Sequence, residues 1–217
     1  IIGSIYVTAG AMIIGVPIGL LCAVFLTFYC PKKLYAFVKP VVGLLAGIPS
    51  IVYGFFGLVI IVPIIQNVFG TGGKGVLTAS ILLGIMILPT IIEVSESSLR
   101  AVPKQYFEGS LALGATKERS IFKAVLVGGK SGVMSAVVLG LGRAIGETMA
   151  VIMVAGNQAA IPKSVLSGVR TLTSNIVLEM AYAADLHREA LIATAVVLFV
   201  FILIINICLS MVKIRKR

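Results

Sequence analysis

Residues 1–31 carry no Asp, Glu, Lys or Arg, and neither do residues 41–73. Apolar runs of that length are long enough to cross a bilayer, and in lipid a backbone must satisfy its own N–H and C=O groups, so they are read as spanning helices. The first run suffices for one span, expected at about 4–28. The second, as one straight helix, would measure about 50 Å against a hydrocarbon core of roughly 30 Å, and so it cannot be a single simple span. Its interruptions are expected at Gly47-Ile48-Pro49-Ser50 and at Pro63, where proline removes backbone donors. Such a break reads either as a kink that shapes the bundle or as a bent segment lining an aqueous path.

Charged residues make up 12% of the chain, against about 25% in an ordinary soluble protein, and together with the apolar runs this defines an all-α integral membrane protein. Five spans are expected, at about 4–28, 41–66, 75–93, 131–156 and 190–212. Between them lie a short basic loop over Lys32, Lys33 and Lys39, a turn-rich GTGGKG connection at 70–75, a polar excursion at about 100–130, and a mixed loop at about 157–189. The mixed loop holds an amphipathic piece around Ile176 to Tyr182. The first run is not a cleaved signal, because no basic residue precedes it and it is too long.

The net charge of +10 is unevenly placed. Lys32, Lys33, Lys39, Arg100, Lys104, Lys117, Arg119, Lys123, Lys130 and the tail Lys213, Arg215, Lys216 and Arg217 fall in one set of loops. The opposite set holds only Lys74, Lys163, Arg170 and Arg188. Cations accumulate on the cytoplasmic side, so the 100–130 loop and the C-terminus are expected inside, and the charge is a topological signal with no nucleic-acid partner implied. Residue 1 would then lie outside, which is expected if one more N-terminal span is missing. Cys22, Cys30 and Cys208 show no metal or disulfide spacing and read as small apolar residues, and no metal site is expected.

Within the 100–130 loop, Glu108 to Leu113 and Thr116 to Leu126 have helical composition, and Gly114 between them suits the left-handed turn that ends one helix and starts another. Two short helices at an angle would project from the membrane face. Spacing alone is equally compatible with a docking surface and with a solvated loop.

Arg143 falls about 18 Å along a helix starting near Ser131, deep in the membrane, together with Glu147. Intramembrane charges are expensive unless paired or wet, so both should face the bundle interior, where their i,i+4 spacing allows them to pair. A guanidinium fork also suits a phosphate oxyanion. A place on an anion path and a structural or gating ion pair both fit, and the two combine if Glu147 holds Arg143 and competes with the passing anion. Gly142 and Gly146 read as a small-residue helix-packing face rather than a dinucleotide fingerprint. The segment Ala124 to Ser131 is a near miss to a phosphate loop, without the surroundings that such a loop needs. His187 has no companion ligands and reads as structural or interfacial.

Glu108-Gly109-Ser110, Gly114, Ala124 and Leu126-Val127 resemble the EAA loop of ABC importer permeases, matching at Glu, Gly and Leu and departing at Gly109, Ser110, Ala124 and Val127. Four further stretches, 45–54, 87–92, 110–116 and 142–148, resemble the permeases of the phosphate-specific ABC importer. Met149-Ala150-Val151 and Gly156-Asn157 are more similar to its C-type than to its A-type permease.

The resemblance implies a type I importer permease bundle with five of an expected six spans, and a transporter subunit that does no covalent chemistry itself. Implied partners are a second, A-type permease, two copies of a cytoplasmic ATPase that carries the ATP and Mg, a periplasmic or lipid-anchored phosphate-binding protein, and membrane lipid. On this reading Arg143, Glu147 and Thr148 line the substrate path, and Glu108, Gly114, Ala115 and Thr116 couple to the ATPase. The competing readings are a permease for sulfate, molybdate or an organic solute, an ion-gradient-driven carrier or channel, and a non-transporting scaffold.

Overall fold

A computed structural model describes residues 1–214, with side chains as far as Ile207. The side chains of Cys208 and of the tail cations Lys213, Arg215, Lys216 and Arg217 lie outside the described residues. The regular secondary structure of the described residues is helical, with one isolated bridge between Gly156 and Val169. Four helices are long and apolar enough to cross a membrane: α1 (Ile2–Phe28), α3 (Ser50–Phe69), α4 (Val76–Arg100) and the Asp185–Ile207 part of α10 (Asp185–Ile214). A fifth candidate is a pair bent by 73°, α6 (Lys117–Gly128) and α7 (Lys130–Gly146). Shorter helices are α2 (Lys32–Gly47), α5 (Lys104–Ala112), α8 (Met149–Val154) and α9 (Leu172–Met180).

The centre of the bundle is α4, which packs on α1 and α7. Its Leu82, Leu83, Met86, Ile87 and Ile91 are all but inaccessible. Contact is close because α1 presents small residues at four-residue intervals, Ala11, Gly15, Gly19 and Ala23. A Cβ on Gly15 would come 2.7 Å from Ile87, and one on Gly19 2.7 Å from Ile91. Where lipid offers no hydrophobic drive for helices to associate, such backbone approach maximises dispersion contact. The small-residue face expected at Gly142 and Gly146 behaves differently, because a Cβ at either would meet nothing within 4 Å among the described residues. Gly140 takes that place on α7, where a Cβ would lie 3.0 Å from Ile91.

The second uncharged run breaks at Ile48-Pro49, where both residues are extended, with ψ of 128° and 141°. Proline disfavours the α conformation in the residue before it, which ends α2 at this point. The Tyr53 hydroxyl donates to the freed Leu45 carbonyl at 2.8 Å. Pro63, expected as a second break, instead lies in continuous helix. A π turn over Gly57–Ile61 just before it is the local adjustment by which a membrane helix tolerates the missing donor. Lys32, Lys33 and Lys39, expected in a loop, lie on α2. The span expected at 131–156 is likewise not one helix: α7 ends at Gly146, Glu147 is extended with ψ 132°, and α8 begins at Met149.

At one end of the bundle, residues 156–171 fold over the starts of α1 and α4, with Val76 N–H donating to Ser167 O at 3.1 Å and Leu172 N–H to Ser4 Oγ at 2.9 Å. Arg170 ties this cap down through Glu179 at 2.7 Å and the Asn157 carbonyl at 3.1 Å. At the other end α5 and α6 form a two-helix knob.

Candidate functional site

Thr90 follows Pro89 on α4, about 21 Å from the Val76 end of a helix some 37 Å long, near the middle of a bilayer that it crosses. Across from it on α7, Arg143 Nη1 donates to Thr90 Oγ1 at 3.3 Å. Among the described residues this is the one hydrogen bond of the guanidinium, and no carboxylate lies within ion-pairing distance of it. Arg143 is half-buried, and the space beside Gly142 and Gly146 on its own helix is open. The Tyr53 hydroxyl, which closes the Ile48-Pro49 break, is within electrostatic reach of the Arg143 charge. A mid-membrane guanidinium with most of its donors unused therefore sits beside two interrupted helices.

Glu147 does not pair with Arg143, contrary to the i,i+4 expectation. The helix ends one residue before it, and the extended backbone at Glu147 carries its side chain off the helical face. Its Oε1 instead accepts from the N–H groups of Thr148 at 3.1 Å and Ala150 at 3.2 Å, capping α8. Thr148 Oγ1 donates to Gly146 O at 3.2 Å, and Thr173 Oγ1 of α9 donates to Glu147 O at 3.0 Å. The carbonyls freed by the break are thus met by hydroxyls from its two sides, as a membrane interior requires.

The knob is built as the loop composition suggests. Gly114 has φ +84°, the Thr116 hydroxyl accepts from Arg119 N–H at 3.3 Å to cap α6, and Ser120 Oγ donates to Ser110 Oγ at 3.0 Å across the two helices. Glu108, Gly114 and Thr116 are exposed, Ala115 is half-buried, and Leu113 at the turn is 90% exposed. The knob rests on the end of α1, with Phe107 stacked on Phe28 at 6.0 Å between ring centroids and Lys117 Nζ 4.4 Å above the Tyr29 ring. A cavity of about 310 Å³ opens at its base, between Thr27, Phe28, Leu99, Arg100, Phe107 and Glu108.

Beside the knob is a charge cluster that sequence reasoning missed. Glu96 accepts from Tyr35 at 2.7 Å, Lys39 at 2.8 Å and Arg100 at 2.9 Å, joining α2 to the end of α4. Arg100 also donates to Leu26 O at 3.4 Å and stacks over Tyr35. The hydrogen bond to Glu96, helped by partial burial and by the carboxylate charge, raises the Tyr35 phenol above its ordinary value against the pull of Arg100 and Lys39. Thr90 and Thr173 were missed too. The available signal was a hydroxyl residue directly after an intrahelical proline in the first case, and a Ser/Thr cluster in the second.

The sequence matches the family model described as "Binding-protein-dependent transport system inner membrane component" over residues 15–217. It is 40% identical to the "Probable ABC transporter permease protein YqgH" of Bacillus subtilis over 95% of this chain and 69% of that one. It is 35% identical to the "Phosphate transport system permease protein PstC" of Mesorhizobium japonicum over 94% and 69% of the two chains. With the protein of the same name from Haemophilus influenzae it shares 34% identity over 100% and 75%. The backbone is similar to a chain of the inward-facing MetNI methionine ABC transporter, with a TM-score of 0.77, 22% identity, and coverage of 99% of this chain and 93% of that one. On the strength of that fold and of a family match over nearly its whole length, the chain belongs to the inner-membrane components of binding-protein-dependent transport systems.

Proposed function

We propose that this chain is the C-type permease of an ATP-driven phosphate importer, and that phosphate passes Arg143 as the bundle alternates between outward and inward openings. The observation that carries this reading is the guanidinium at mid-membrane with, among the described residues, one hydroxyl partner and no carboxylate. An arginine whose purpose was to clip helices together would be expected to have its charge met by an acid. An unpaired one, beside open space, suits an oxyanion that can take two N–H donors at once. The relatives named as phosphate transport permeases support the choice of anion.

The subunit supplies the path, and the energy comes from elsewhere. Its partners on this reading are an A-type permease, two copies of a cytoplasmic ATPase that bind ATP and Mg, and a phosphate-binding protein on the outer face. Glu108, Gly114, Ala115 and Thr116 meet the ATPase, and the exposed Leu113 gives the contact an apolar centre. Glu147 and Thr148 shape the break beside the path. The charge asymmetry of the sequence supports a cytoplasmic assignment for the C-terminal cations.

The test is Arg143→Gln in cells that depend on this transporter for phosphate. Uptake is expected to fall by at least a hundredfold while the permease still copurifies with its partners. Uptake near the wild-type level would refute the anion path, and loss of the complex would assign Arg143 to structure.

A further inference from the structure

Thr90 is half-buried on the face of α4 that meets Arg143. Hydroxyl residues inside helices commonly turn back onto the carbonyl four residues earlier. Thr27, Ser98 and Thr194 do so here, bonding to Ala23 O, Val94 O and Ala190 O at 2.7, 2.6 and 2.9 Å. Thr90 makes no such bond and offers its oxygen across the helix interface to the guanidinium. The contact has geometric consequences, because an arginine side chain has four rotatable bonds and much rotamer freedom to lose. One fixed Nη sets the plane of the fork. Its partner helix α7 follows from α6 through the 73° bend, so any tilt of the knob that reaches α7 moves Arg143 relative to α4.

We propose that Thr90 is a positioning residue for the Arg143 guanidinium: its hydroxyl oxygen holds one Nη against α4 so that the remaining donors are presented together to the passing oxyanion. This rests on the reading of Arg143 as part of the anion path. A valine at this position keeps the shape and removes the acceptor. A serine keeps the acceptor and removes a methyl group.

The experiment measures initial rates of radiolabelled phosphate uptake, with permease levels matched in the membrane, for Thr90→Val, Thr90→Ser, Arg143→Lys, Arg143→Gln and the Thr90→Val/Arg143→Lys pair. A hydrogen bond to a charged group is worth about tenfold or more. Thr90→Val should therefore slow uptake about tenfold, Thr90→Ser should restore it to within twofold of wild type, and Thr90→Val should add little in the Arg143→Lys background, where the planar fork is gone. If Thr90→Val transports normally while Arg143→Gln does not, the positioning role is wrong and the anion path stands. If Thr90→Ser is as slow as Thr90→Val, or the two losses multiply, Thr90 acts through packing and the proposal is overturned. If Arg143→Gln transports normally, the reading of the path fails first and this one with it.

Discussion

Glu96 is 2% exposed, yet it has one phenol and two cations on its two oxygens. Burying a carboxylate is tolerable only when its lone pairs and its charge are met. The arrangement ties three parts of the sequence at one point: α2 through Tyr35 and Lys39, the end of α4 through Arg100, and the end of α1 through the Leu26 carbonyl that Arg100 also contacts. Because Lys39 and Arg100 are 35% and 47% exposed, solvent already screens them, and they need Glu96 less than Glu96 needs them. Glu96→Gln leaves a neutral acceptor for Tyr35 but faces two uncompensated cations, and should destabilise the purified protein in detergent by about 1–3 kcal/mol. Lys39→Ala leaves two of the three donors in place and should cost less. Denaturant titration of the two variants checks the order, and a larger loss for Lys39→Ala would show that the carboxylate is not the centre of the cluster.

Helix identity was legible in this chain where the physics is one-dimensional. The uncharged runs, the proline at position 49 and the Gly114 turn each act through the local backbone, and each is where the sequence puts it. Pairing was not legible in the same way. Arg143 and Glu147 are four apart, but the helix stops between them, and nothing in the residue types announces that stop. Lys32 to Lys39 reads as a loop because of its charge, whereas the cations at its start sit on a helix that packs on α4 through the buried Val42 and the half-buried Tyr35 and Val38. Of the three partners of Glu96, Arg100 is four residues on, whereas Lys39 and Tyr35 are 57 and 61 residues away in sequence, beyond what periodicity can reach. The Gly114 turn permits an element-scale prediction. No atom lies within 4 Å of where its Cβ would be, so Gly114→Ala meets no clash, and its cost is the left-handed backbone alone, about 1–2 kcal/mol. That strain would be relieved by swinging α5 against α6, whose angle defines the docking surface proposed for the ATPase. ATP hydrolysis stimulated by phosphate and binding protein should fall severalfold in liposomes carrying the Gly114→Ala complex. Unchanged stimulation would mean that the angle of the knob does not matter to coupling.

For the molecule as a whole, the two ends differ in kind. One end is a cap of turns and backbone hydrogen bonds over the starts of α1 and α4, anchored by the Arg170–Glu179 pair. The other is the knob, with Lys104, Lys117, Arg119 and Lys123 on it and Lys32, Lys33, Lys39 and Arg100 around its base. A cation-rich end stays on the cytoplasmic side during insertion, so the charge asymmetry and the position of the knob make one joint statement about orientation. On the proposed orientation Ala160, exposed in the cap, faces outward and Gln105, exposed on α5, faces the cytoplasm. With Cys22, Cys30 and Cys208 replaced by Ala, a thiol introduced by Ala160→Cys should react with a membrane-impermeant maleimide in intact spheroplasts. One introduced by Gln105→Cys should react only after the membrane is opened. The reverse pattern would put the knob outside, where no ATPase could reach it, and the transport mechanism proposed for this chain would fail with it.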